Sequence, residues 1–119
     1  MSNQSISKDF VEEALRNNDL GVLATEGDGQ PHASLIAVTP MDDCGHLIFA
    51  TYRSTRKYQN LINNGKVSIL FENRSVKSLS QPYITVVTAF GYAKEVDIAD
   101  SDSARNAHLL RHPELESFL

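Results

Sequence analysis

One cysteine, no surplus of basic residues and no long apolar run mark this 119-residue chain, and each shortage closes off a class of protein. A lone thiol, Cys44, cannot form an internal disulfide, which fits a reducing compartment rather than a stapled secreted domain. It sits in Met41-Asp-Asp-Cys-Gly45 without a second cysteine or a nearby base to activate it. Eleven Lys and Arg against 15 Asp and Glu give a formal net charge of −4, leaving no excess to neutralise a nucleic-acid backbone. No segment reaches the roughly 18 consecutive apolar residues that span a bilayer. The first residues, Met-Ser-Asn-Gln-Ser-Ile-Ser-Lys8, lack the apolar core of a signal peptide. A soluble, cytoplasmic protein with no nucleic-acid or membrane partner is therefore expected. Absent too are a P-loop, a glycine-rich dinucleotide fingerprint, a Ser/His/Asp arrangement and a general acid–base pair. If this chain performs chemistry, a bound cofactor must carry most of it.

What is present suits one globular domain over 1–119, with 41% hydrophobic and 22% charged residues. Ser7 is placed to cap a first helix in which Phe10, Val11, Ala14 and Leu15 share a face, ending at Asn17-Asn18. Residues 20–25 read as a buried strand. Glu26-Gly-Asp-Gly-Gln30 reads as a hairpin turn. Strands follow over 31–39 and 46–51. A helix then ends at Asn63-Asn64-Gly65, where a left-handed cap is expected. Residues 66–72 alternate as a strand, 73–82 read as a polar loop, and 83–96 as a long strand with a bulge at Gly91. An acidic turn over 97–102 and C-terminal helices over 103–111 and from Pro113 complete the order. Antiparallel strands joined by short turns, with few helices, favour a small β-barrel with helical additions. The chain closes on Phe118-Leu119, which reads as an unfinished helix and suggests a domain continuing further.

The most telling stretch is Phe49-Ala-Thr-Tyr-Arg-Ser-Thr-Arg-Lys-Tyr-Gln-Asn-Leu61. Its cations, Arg53, Arg56 and Lys57, fall at a helix start, the end of the helix dipole that favours negative charge. A bound anion resolves the conflict, because backbone N–H groups and basic side chains then point at one charge. Ser54 and Thr55 would add hydroxyls, and Arg56 and Lys57 charge, to a phosphate cradle. A solvated basic loop whose Ser54 or Thr55 merely caps the helix is the other reading. His108 and His112, four apart, have metal-ligand spacing, but without an intervening glutamate they read as surface histidines, and no metal site is expected. His32 and His46 read as structural or solvated residues beside turns.

Two stretches taken together resemble the pyridoxamine 5′-phosphate oxidase-like family of FMN-binding split β-barrels. One is Gly21-Val-Leu-Ala-Thr25 followed by Gly29-Gln-Pro-His-Ala-Ser-Leu-Ile-Ala-Val38. The other is Leu47-Ile-Phe-Ala-Thr-Tyr-Arg-Ser-Thr-Arg-Lys-Tyr-Gln-Asn-Leu61 with Gly65-Lys-Val-Ser-Ile-Leu70. Phe90-Gly-Tyr-Ala93 is similar to a later strand of the family. The resemblance implies a mainly β split barrel of antiparallel strands, with an N-terminal helix, a helix after the third strand and C-terminal helices. It also implies a homodimer with FMN at the subunit interface and an FMN-dependent oxidoreductase acting on a small-molecule redox substrate. Thr55, Arg56 and Lys57, beside Ser54, would hold the cofactor phosphate. Ser34, Leu35 and Ile36 would face the flavin ring, and Ala50, Thr51 and Tyr52 would line the ribityl chain. The chain departs from true oxidases in having Ser34 where many carry arginine, and in lacking tryptophan. That argues against pyridoxamine phosphate oxidation itself and leaves a non-catalytic flavin- or haem-binding sensor or carrier as the alternative.

Overall fold

A computed structural model describes residues 8–41, 45–76 and 82–118. Ser7, Cys44 and Leu119, and residues 77–81 of the expected polar loop, lie outside them. The elements run α1 (Lys8–Asn17), β1 (Leu20–Gly27), β2 (Gln30–Ala37), β3 (Thr39–Pro40), β4 (Leu47–Ile48), α2 (Arg56–Asn63), β5 (Lys66–Val76), β6 (Pro82–Tyr92) and α3 (Ile98–Arg111), then a 3₁₀ helix over Pro113–Phe118. A four-stranded antiparallel sheet has the order β2-β1-β5-β6, and β3 pairs with β4 in a separate ribbon. The architecture is mainly β with helical additions, as the sequence predicts, and the described strands do not close into a complete barrel.

Alternation along the strands decides which face is core. Leu23, Ile36, Ile69 and Phe71 point to one side of the sheet and, with Leu15 and Val38, form the buried cluster. α1 covers that side by packing on β5 and β6. Its C-terminal end is tied down twice. Asn18 Nδ2 donates to Ala14 O at 2.7 Å. From α3, Arg111 Nη2 lies within 3.0 Å of the carbonyl oxygens of Leu15, Arg16 and Asn18. A cation there also complements the negative end of the helix dipole.

The β1–β2 hairpin turns on Asp28 (φ 52°) and Gly29 (φ 81°), the double positive φ that a two-residue turn between twisted strands requires. Several sequence expectations are corrected. The strand expected over 46–51 pairs only at Leu47–Ile48. Its continuation leaves the sheet for a turn in which Thr55 Oγ1 donates to Tyr52 O and meets Thr51 Oγ1. α2 ends not in a left-handed cap but with Asn64 extended (φ −148°, ψ 105°). Gly65 answers a different need: a Cβ there would sit 2.8 Å from Ala93 O, whose residue donates its N–H to Gly65 O at 2.7 Å. β5 runs on through residues 73–76, because β6 offers an unbroken partner from Lys66↔Tyr92 to Val76↔Pro82. That register passes through Val67↔Gly91 without a bulge. Residues 98–102, expected as a turn, form the start of α3.

Two buried side-chain pairs fix helices to strands. Asn60 of α2 donates its amide Nδ2 to Thr25 Oγ1 of β1 at 3.1 Å. His108 of α3 shares a 2.8 Å hydrogen bond between its Nδ1 and Thr39 Oγ1. Those contacts set the walls of the site.

Candidate functional site

The site grows from the turn before α2. Thr55 is its N-cap, with extended backbone (φ −87°, ψ 157°) and a side chain that accepts from Tyr58 N. A hydroxyl has one proton and two lone pairs, and all are in use here. Thr55 Oγ1 donates to Tyr52 O at 2.8 Å, accepts from Tyr58 N at 3.3 Å, and meets Thr51 Oγ1 at 2.8 Å. The capping role and the anion role are therefore divided among neighbours. Thr55 shapes the turn, while the N–H groups of Arg56 and Lys57, first in the helix, have no partner within it. Among the described residues neither Arg56 nor Lys57 has an ion-pair partner. Arg53 does: its Nη2 lies 2.8 Å from Glu95 Oε1, and that carboxylate raises its pKa, chiefly through the hydrogen bond. Of the three cations in the motif, two remain available to a ligand.

Beside this turn lies a cavity of about 240 Å³. One wall is β2, through Leu35, Ile36 and Ala37; a second is Ala50, Thr51 and Tyr52; Thr55 and Lys57 form one end. His108 and Leu115 close the side toward α3. Strand parity explains the β2 wall. Val38 N bonds to Asp19 O at 3.1 Å, and hydrogen-bonded pairs alternate along an antiparallel ladder. The backbone groups of Leu35 and Ala37 therefore face away from β1, across the open edge of the sheet, and those of Ser34 and Ile36 face β1.

Seven of the residues singled out from the sequence thus meet around one cavity: Leu35, Ile36, Ala50, Thr51, Tyr52, Thr55 and Lys57. Ser54 and Arg56 line a neighbouring, larger cavity of about 690 Å³, which also has Thr55 on its wall. Ser34 lines neither. Its Oγ is buried without a hydrogen-bond partner among the described residues, as is Nδ1 of His32 two residues earlier.

Sequence reasoning missed His108 and Leu115. His108 of α3 and His112 at its C-cap are core residues, each 2% exposed, not surface ones. His112 Nε2 lies 2.9 Å from Val38 O, and the two rings stand 4.9 Å apart. Burial lowers the pKa of His108, with a smaller push in the same direction from His112. On the same helix Leu110 is 86% exposed, so hydropathy is inverted along α3. Only the i, i+4 spacing of the histidines hinted at a shared inward face. Among the described residues no group of three or more His, Cys, Asp or Glu side chains could hold a metal ion. No helix among them is long and apolar enough to cross a membrane.

No curated protein matches the chain. Among solved structures, a haem-binding protein from Mycobacterium smegmatis superposes with a TM-score of 0.78 at 22% identity, over 96% of this chain and 48% of its own length. A protein of unknown function from Agrobacterium tumefaciens gives 0.76 at 14%, over 99% and 52%. An FAD-binding protein from Mesorhizobium loti gives 0.75 at 20%, over 93% and 77%. The chain thus spans about half the length of the first two, and at these identities the likeness establishes a shared fold. The sequence itself carries the assignment further. The model of the pyridoxamine 5′-phosphate oxidase family matches residues 7–115, a span that includes β2, the cation-bearing turn and α3, and the chain belongs to that family.

Proposed function

We propose that the protein is an FMN-binding flavoprotein that works as a homodimer, and that it is an FMN-dependent oxidoreductase acting on a small molecule. The observation that carries this reading is the pair Arg56 and Lys57 at the start of α2, without ion-pair partners among the described residues and beside a cavity walled by an open strand edge. Charge-assisted hydrogen bonds from the two cations, with the first N–H groups of α2, suit a phosphate monoester. Leu35 and Ala37 offer backbone groups toward a flat heterocycle, and Ile36 and Leu115 offer apolar wall. A flavin held there supplies hydride and electron transfer. The chain's own residues bind and orient; among the described residues no carboxylate lines the cavity, and its titratable groups are Tyr52, Lys57 and His108.

A second copy of the chain fits the same reading. Ligand pockets usually enclose about 300–1,000 Å³, so a cavity of about 240 Å³ leaves a flavin partly uncovered. On the outer face of the sheet, Leu35, Val86, Phe90 and Tyr92 are exposed by 64%, 55%, 83% and 80%. An apolar patch of this kind marks an interaction surface, and Leu35 belongs both to it and to the cavity wall.

Purified protein is expected to be yellow, with about one flavin per chain. Replacing Arg56 and Lys57 together by alanine removes two charge-assisted contacts worth about 1.5–3 kcal/mol each, so FMN affinity should fall by a factor of about 10²–10⁴. Unchanged FMN binding in that variant refutes the phosphate assignment. The lack of a carboxylate in the cavity also suits a carrier that holds flavin or haem without turnover. Anaerobic mixing with NADH or NADPH separates the readings, since an oxidoreductase is bleached and passes electrons to an acceptor.

A further inference from the structure

The two cavities meet at Thr55, and each takes one of the two unpaired cations: Lys57 lines the smaller, Arg56 the larger. An occupant that filled both would cross the N-terminus of α2 at the point where negative charge is favoured. Its two ends would meet unlike surroundings. The smaller cavity is walled by Leu35, Ile36, Ala37, Ala50 and Leu115. The larger, between the β1–β2 hairpin and the flank of α2, is lined by side-chain amides and carboxylates, with no apolar side chain.

Some of that polar lining is already spent on the fold. Glu26 receives Asn64 Nδ2 at 2.9 Å and the N–H of Gly29, which together lower its pKa, the Asn64 bond contributing most. Asn60 donates one amide proton to Thr25 Oγ1, and Asn64 Oδ1 accepts from Lys66 N. Besides Ser54 and Arg56 at the turn, three side chains from two elements remain to read a ligand. The side chains of Asn63 and Asp28 make no hydrogen bond among the described residues, and that of Gln59 makes only a 3.5 Å contact with Arg53 O. Carboxamides pair with the adjacent donor and acceptor of an adenine edge, and a carboxylate accepts from ribose hydroxyls. Asp28 and Glu26 would repel a further phosphate on that ribose.

We propose that the larger cavity is the nucleoside end of a dinucleotide site, and that the preferred occupant is a flavin dinucleotide. Its flavin lies against β2, its pyrophosphate lies at Arg56 and Lys57, and its adenosine lies against Gln59, Asn63 and Asp28. This inference rests on the flavin reading above and extends it from a mononucleotide to a dinucleotide. At about 690 Å³ the cavity has room for such an end.

Titration of the full chain with FMN and with FAD, followed by flavin fluorescence, tests it. FAD should bind at least about tenfold more tightly than FMN, a difference of about 1.4 kcal/mol. Gln59 and Asn63 are exposed, so Gln59→Ala with Asn63→Ala should keep the fold, checked by its melting curve. The double variant should bring FAD affinity down to that of FMN and leave FMN within about twofold. FMN binding with no gain for FAD overturns the dinucleotide site and leaves the flavin reading standing. A double variant that weakens both flavins alike also overturns it. If neither flavin binds, the flavin reading fails and this inference falls with it.

Discussion

Thr55 offers the sharpest test of how the site is built, because its hydroxyl has no capacity left for a ligand. Removing it by Thr55→Ala deletes the N-cap acceptor for Tyr58 N at 3.3 Å and the contact with Thr51 Oγ1 at 2.8 Å. Tyr52 O is not orphaned, since Thr55 N at 3.2 Å and Thr51 Oγ1 at 3.3 Å still reach it. The expected loss is therefore that of an N-cap, about 1–2 kcal/mol, or a fall in Tm of roughly 4–8 °C for a domain of this size. Thr55→Ser keeps the oxygen and should melt within about 2 °C of the parent. Circular dichroism melts give the stability, and titration with FMN gives the affinity. FMN binding should weaken far less in Thr55→Ala than when Arg56 and Lys57 are removed. Thr55→Ala protein with an unchanged Tm and abolished FMN binding would refute the reasoning, because the hydroxyl would then serve the ligand and not the helix.

Other expectations follow from buried groups and the outer face. His108 has a lowered pKa because burial disfavours its charged form. The unfolded chain therefore takes up a proton first as pH falls below about 6.5. Stability is fully present above that value and declines through the acid range until folded His108 also protonates. Denaturant midpoints measured across pH should show this slope, and His108→Gln should flatten it. A Cβ at Gly27 would overlap Asn60 Oδ1, so Gly27→Ala should cost about 1–3 kcal/mol by forcing the buried amide to shift; a midpoint equal to the parent's would show that α2 yields freely. Phe90→Glu places a charge on the exposed apolar face and should convert a dimer to a monomer in sedimentation. An unchanged mass would remove that face from the interface.

Local chemistry made much of this molecule legible, and tertiary context hid the rest. The Asp28-Gly29 turn, the inward face of α1 and the helix start at Arg56 follow from a few neighbouring residues each. Two readings of the basic turn, cap and cradle, looked like rivals in the sequence; the structure assigns Thr55 to capping and leaves Arg56 and Lys57 without ion-pair partners among the described residues. What depended on distant partners did not show. His108 and His112 are buried because Thr39 and Val38, some 70 residues away in sequence, supply their hydrogen bonds. Gly65 is explained only by the approach of Ala93. Gly91 lies in an unbroken ladder with open space around it, so glycine there has no structural account.

The Arg111 latch has a consequence in time. Its contacts with Leu15, Arg16 and Asn18 span 96, 95 and 93 residues, so a ribosome adding about 5–20 residues per second exposes α1 roughly 5–20 s before the arginine emerges. Through that interval the arginine's three contacts are missing from the helix end, while the local Asn18 bond can already form. The nascent chain should accordingly pass through a stage in which its first helix is open to a chaperone or a protease, and the arrival of α3 ends it.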